Sequence, residues 1–170
     1  MNRRITLTAV PASFLLVSLA LAAGDAVAQS AKSLVGSWAI VSSETIDASG
    51  KKTPTFGPNP RGSLIFTPDG RYSLFIAQAS LPKFAANSRL KGTADENKAI
   101  VSGTITHVGK YTVDEKDKSF TFHVESGTYP NWDGTAQKRS FTVAGNELKY
   151  SNPAASSGAG SADLVWKRSK

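Results

Sequence analysis

The sequence contains no cysteine. That excludes a disulfide scaffold, a thiolate metal site, a cysteine nucleophile and a lipidated cysteine anchor. Only two histidines, His107 and His123, are present. They are too few for a histidine-rich metal centre, and neither His-x-x-x-His nor His-Glu-x-x-His spacing occurs. No Gly-rich phosphate loop leads into a helix. The nearest approach to a Gly-x-Ser-x-Gly elbow, Gly158-Ala159-Gly160-Ser161, falls in a flexible Ala/Ser/Gly loop. No metal and no cofactor is expected. Internal repeats, coiled-coil heptads and a linker that would split the chain are missing too, so 170 residues read as one domain.

The one long uncharged run lies at the amino terminus. Met1-Asn2-Arg3-Arg4 is basic, residues 5–23 carry no charge, and Phe14-Leu15-Leu16-Val17 forms an apolar centre. Small residues follow, ending in Ala26-Val27-Ala28. These are the parts of a secretory signal peptide. An uncleaved anchor is the competing reading, because 19 uncharged residues approach the ~20 that span a bilayer. Thr6, Thr8, Pro11, Ser13 and Ser18 dilute the run, and an anchor leaves the Ala-Val-Ala site without a purpose. The predicted organisation is a signal peptide over 1–28, cleaved near Ala28, and a domain over 29–170. The mature protein would then be periplasmic or secreted, with no stable membrane insertion. Cleavage removes Arg3, Arg4 and Asp25 and takes the net charge from +7 to +6. Apolar content falls from 40% to about 35%, which suggests an open, thin-walled β architecture.

Alternation and turn chemistry place eight strands in that domain. They run over 36–46, 61–67, 71–78, 103–113, 119–125, 135–144, 147–151 and 163–168. Pro68-Asp69-Gly70 marks the firmest hairpin, since proline presets φ and glycine accepts positive φ. Residues 31–35 suggest a helical turn plugging one end, and 51–60, with three prolines, a loop. Residues 79–97 form a polar excursion. A helix is expected from near Asp95, where Asp95-Glu96-Asn97 suits a helix amino terminus. Short strands at regular spacing argue for an all-β antiparallel barrel or sandwich, and an eight-stranded barrel can enclose one small ligand.

Four segments carry a resemblance. Leu34-Val35-Gly36-Ser37-Trp38 gives a Gly-x-Trp opening to the first strand, and residues 62–70 give the hairpin after the Pro-rich loop. Residues 109–114 with 120–125 give a central hairpin, and Asn131-Trp132-Asp133-Gly134 with Arg139-Ser140-Phe141 precedes the final strands. In this order they resemble a bacterial lipocalin-like domain protein, one of the calycin-type β-barrels. The resemblance implies a cup-shaped eight-stranded barrel with a short helical segment, binding a small apolar molecule inside. It further implies that Trp38 lies across one end with Arg168 stacked on it, a structural contact worth ~0.5–2 kcal/mol.

Candidate ligand-binding residues follow from strand parity. His107 and Tyr111 share the parity of Ile105 and Val113, so an apolar interior puts both inside. His107 is then either a ligand contact or a hydrogen-bonded wall residue. His123 and Glu125 share one sheet face. They point outward if Phe122 and Val124 fill the core, and inward, as a weak acid–base pair, if the lumen is polar. Arg139 is pointed to by the resemblance, within the matching segment from Asn131 to Phe141; an inward arginine there either clamps a carboxylate or enolate oxygen through its fork or forms a salt bridge to Glu125 or Asp133. Trp132 and Tyr129, flanking Pro130, either lid the barrel mouth or plug it. Tyr72 and Phe75 occupy opposite faces of one strand, so only one is internal. Basic residues pair only briefly, at Lys51-Lys52, Lys138-Arg139 and Lys167-Arg168, and no nucleic-acid partner is expected. The expected function is an exported carrier of a small, largely apolar molecule. The alternatives are a cofactor-free isomerase or cyclase in the same cavity, using His107 or the His123–Glu125 pair with Arg139, and a packed envelope protein with no ligand.

Overall fold

The computed structural model describes residues 30–158 and 160–170. The predicted signal peptide lies outside the described residues. Within them the chain forms a closed antiparallel barrel. The barrel strands are β1 (Gly36–Ile46), β3 (Arg61–Phe66), β4 (Arg71–Ala77), β5 (Thr104–Asp114), β6 (Ser119–Gly127), β7 (Ala136–Ala144), β8 (Glu147–Asn152) and β9 (Ser161–Arg168). Each pairs with the next in order, and β9 returns to β1 from Trp38↔Arg168 to Ile46↔Ser161 to close the ring. Among the described residues no helix is long and apolar enough to cross a membrane.

Turn chemistry fixes the strand junctions. At the β3–β4 hairpin, Gly70 adopts φ +82° and its amide donates to the Thr67 carbonyl at 3.1 Å. A side chain there would strain the left-handed conformation that closes the turn. Helix α2 (Ala94–Gly103) opens with a capping box. The Glu96 amide donates to Thr93 Oγ1 at 3.2 Å, and the Thr93 amide donates back to Glu96 Oε2 at 2.8 Å. That box sets the helix start one residue before Asp95.

Three features depart from simple alternation. A short strand, β2 (Lys52–Pro54), lies in the segment predicted as loop and pairs with Glu44–Ile46 of β1. Pro54 is tolerated because β2 is an edge, where one missing donor disrupts no inner ladder. A bulge between Ile40 and Ser42 leaves Val41 opposite no residue of β9. Inward parity switches there from Trp38 and Ile40 to Ser43. A second irregularity, where Val108↔Ser126 gives way to Gly109↔Val124, sets Glu125 as the extra residue of β6.

The interior is filled from one end. Helix α1 (Ala31–Leu34) inserts buried Leu34, and Trp38 Nε1 donates to the Leu34 carbonyl at 2.8 Å. The Arg168 guanidinium lies 4.1 Å from the Trp38 ring centre and donates to the Val35 and Ser33 carbonyls at 2.8 and 2.7 Å. Above this floor Phe66 meets Tyr111, Phe120 and Phe122, with ring centres 4.8, 5.5 and 6.0 Å apart. Each fully buried aromatic contributes ~1.5–3 kcal/mol, and edge-to-face pairs add ~0.5–1.5 kcal/mol. The open, thin wall suggested by low apolar content is therefore corrected. The apolar residues are few, but many of the inward ones are large rings, and they pack into one continuous core.

Candidate functional site at the barrel mouth

At the opposite end the ring packing leaves a gap. The carboxyl ends of β4, β6 and β8 and the amino ends of β5, β7 and β9 surround a cavity of about 50 Å³. That is room for a few water-sized groups. Its wall is largely apolar, with Leu74, Ile76, Ile105, Phe122 and Leu164, and Phe56 and Trp132 reach it from the loops. The polar groups on it include His107, Arg139, Ser43 and Asn152.

His107 is inward on β5 and only 5% exposed. Its Nδ1 lies 2.8 Å from Tyr72 Oη, and its ring stands edge-on to Phe122 and Trp132 at 5.3 and 5.7 Å. Burial, reinforced by the nearby Arg139 charge, lowers its pKa to about 4. Burial also pushes the Tyr72 hydroxyl upward. At neutral pH both groups are therefore uncharged and share one proton-mediated contact. Tyr72 sits behind His107 and fixes its ring.

Arg139 is inward on β7 and likewise 5% exposed. Nη1 donates to the Lys138 carbonyl at 3.0 Å, and Nη2 donates to Gln137 Oε1. Gln137 is in turn held by its Nε2 donating to Thr135 Oγ1 at 3.0 Å. Burial lowers the Arg139 pKa, opposed by the neighbouring Tyr150 and Tyr72 hydroxyls. A guanidinium starts so high that it stays charged regardless. The salt bridge to Glu125 or Asp133 does not form. Among the described residues every ion pair lies on the outer surface, and none uses Arg139.

The structure gathers His107, Arg139 and Trp132 on one cavity, with Tyr72 behind. Trp132 comes from a 3-10 turn (Pro130–Trp132), and its ring meets that of Tyr129 edge-on at 5.4 Å. The other candidates stand elsewhere. Tyr111 is inside the barrel but at its filled end, where its hydroxyl donates to the Thr67 carbonyl at 3.0 Å. His123 and Glu125 face outward, because Phe122 and Val124 take the inward parity. His123 Nε2 lies 3.0 Å from Thr112 Oγ1. Glu125 accepts from Arg71 Nη2 at 2.7 Å, a contact that lowers its pKa. The constellation of His123, Glu125 and Arg139 is thus not assembled. Sequence reading missed Tyr150, Gln137 and Phe56. The first two share inward parity with Leu148 and Arg139 and were legible by that rule. Phe56 sits in the Pro-rich segment, where no periodicity points to it.

Among the described residues no group of three or more histidine and carboxylate side chains is placed to hold a metal. A search of curated proteins finds no match to the sequence. A family model described as lipocalin-like domain matches residues 35–169, the span that contains every barrel strand. On that match and the closed eight-stranded barrel, the chain belongs to the lipocalin-like domain family.

Proposed function

We propose that the protein is an exported carrier that binds a small, largely apolar molecule at the mouth of its barrel. One observation carries the reading. Aromatic side chains fill the floor, whereas the mouth retains a cavity walled by aliphatic and aromatic groups, with His107 and Arg139 directed onto it. A pocket that is mostly apolar with a few fixed polar groups suits a small ligand: the apolar wall supplies affinity and the polar groups set orientation. Burial in such a wall contributes ~25 cal/mol per Å² of apolar surface. The cavity's size favours a compact ligand, or one whose bulk extends past Trp132 into the loops. Export is supported by the basic start, the uncharged run and Ala26-Val27-Ala28.

The test is native mass spectrometry of the protein purified from an exporting host, with extraction of anything bound and sequencing of the amino terminus. The expected results are a mature chain beginning near Gln29 and a stoichiometric small-molecule adduct, or saturable binding of an apolar fluorescent probe to the empty protein. Non-saturating binding alone would overturn the carrier reading. An uncut amino terminus would overturn export by cleavage.

A further inference from the structure

We infer that the ligand is a monoanion, a carboxylic acid bound as its carboxylate on Arg139. The inference rests on the barrel-mouth reading and narrows it to one chemical class. The argument is a charge balance. Arg139 is 5% exposed, and an ion taken so far from water is strongly disfavoured unless it is paired. Its two protein hydrogen bonds go to an amide side chain and a backbone carbonyl, both neutral. A guanidinium has five N–H donors, so two contacts leave spare donor capacity on a side chain that lines the cavity.

The surroundings supply no balancing charge. His107 is neutral at physiological pH, held so by burial and by Arg139 itself. Tyr72 and Tyr150 stay protonated, because burial pushes both hydroxyls upward. Glu125 is outside the wall and paired with Arg71, and Asp133 is exposed and makes no ion pair with Arg139. The cavity therefore carries one positive charge. A single negative charge neutralises it, whereas a phosphate dianion would leave an excess. The planar fork of a guanidinium matches the two oxygens of a carboxylate. The apolar wall of Leu74, Ile76 and Ile105, with Trp132 at the rim, suits a short hydrocarbon group, or a tail that extends past Trp132 into the loops, and disfavours a second charged group.

The experiment compares hexanoate with hexanamide, and benzoate with benzamide, on the protein purified from an exporting host. Binding is followed by calorimetry and by the imidazole resonances of His107, with surface His123 as internal control. Each acid is expected to bind at least about tenfold tighter than its amide, the factor expected for one buried charge-assisted contact. The acids should shift the His107 resonances and not those of His123. Arg139→Gln should abolish the acid-over-amide preference. The wild-type ratio stands as evidence even if that variant does not fold. Equal, saturable binding of acid and amide would overturn the anion inference while leaving the barrel-mouth reading intact. Chloride or phosphate competing as strongly as the acids would overturn the carboxylate class. Amides or neutral probes binding while the acids do not would also overturn it. Failure of every probe, charged or neutral, to saturate would overturn the barrel-mouth reading and this inference together.

Discussion

His107 should make this barrel lose stability in mildly acidic solution, by an amount the structure sets. Its pKa falls from 6.5 to about 4 on folding, through burial first and the Arg139 charge second. The folded state resists protonation, so between pH 4 and 6.5 the unfolded chain binds more protons. Stability then rises with pH across that window: the contribution is complete above pH 6.5 and is lost as pH falls through 4. The full window corresponds to about 3 kcal/mol, and the step from pH 7.5 to pH 5 to about 2 kcal/mol. Urea unfolding at these two pH values measures it, with an expected drop in midpoint of ~1 M. His107→Gln keeps a polar partner for Tyr72 and removes the titration, so its midpoint should change much less between the two pH values. His123→Gln removes the only other histidine, on the surface, and should retain the wild-type drop. Asp47, Asp69, Glu96 and Glu125 have lowered pKa values and contribute near pH 5. They do so in all three proteins and cancel in the comparison. Parallel pH profiles for wild type and His107→Gln would refute the placement of a neutral histidine beside a buried guanidinium.

Two further substitutions probe what holds the barrel. Arg168→Ala removes the stack on Trp38 and two hydrogen bonds to the Val35 and Ser33 carbonyls. It should destabilise by about 2–3 kcal/mol, and Arg168→Lys by roughly half of that, since an ammonium cannot bridge both carbonyls while lying flat on the ring; equal stability of the lysine variant and wild type in urea would show that charge alone matters. Gly109→Ala should lower the thermal midpoint by the equivalent of ~2–4 kcal/mol, because its Cβ would meet the His123 carbonyl oxygen at 2.0 Å; a neutral effect would mean that β5 and β6 separate at this bulge without penalty.

The barrel was legible because its signals are local. The β3–β4 hairpin follows from Pro68-Asp69-Gly70 between two alternating runs, and the register Leu64↔Leu74 and Phe66↔Tyr72 puts those runs on one inner face. What was not legible depends on contacts between strands. Val41 reads as one more β-branched residue, yet as a bulge it turns Ser43 inward. Lys52–Pro54 becomes a strand only because β1 offers an edge beyond β3, a fact of curvature and not of composition. The mouth was half legible. Parity pointed His107 inward and the resemblance singled out Arg139, but parity could not separate the filled end from the open one, and so it grouped Tyr111 with His107. The distinction comes from strand direction: Tyr111 is four residues further along β5, toward the floor. Glu125, one alternative partner offered for Arg139, does not reach it: the two lie on adjacent strands, while the pleat sends one out and the other in.

The two halves of the barrel explain each other. Burying an unpaired ion is disfavoured by several kcal/mol even after relaxation, against a total stability of about 5–15 kcal/mol for an ordinary domain. A chain this poor in apolar residues sustains such a group only if burial elsewhere is efficient. The floor meets that requirement: Trp38, Trp166, Phe120 and Phe122 are wholly or almost wholly removed from water. A methionine or leucine at position 139 would fit the inward side of β7 with no desolvation penalty, and the neighbouring inward residues Phe141 and Val143 are of that apolar kind. A guanidinium there is therefore the wrong choice for stability alone. It becomes the right one when the mouth holds something that returns the lost solvation, so the destabilised half of the molecule is where its chemistry is to be sought.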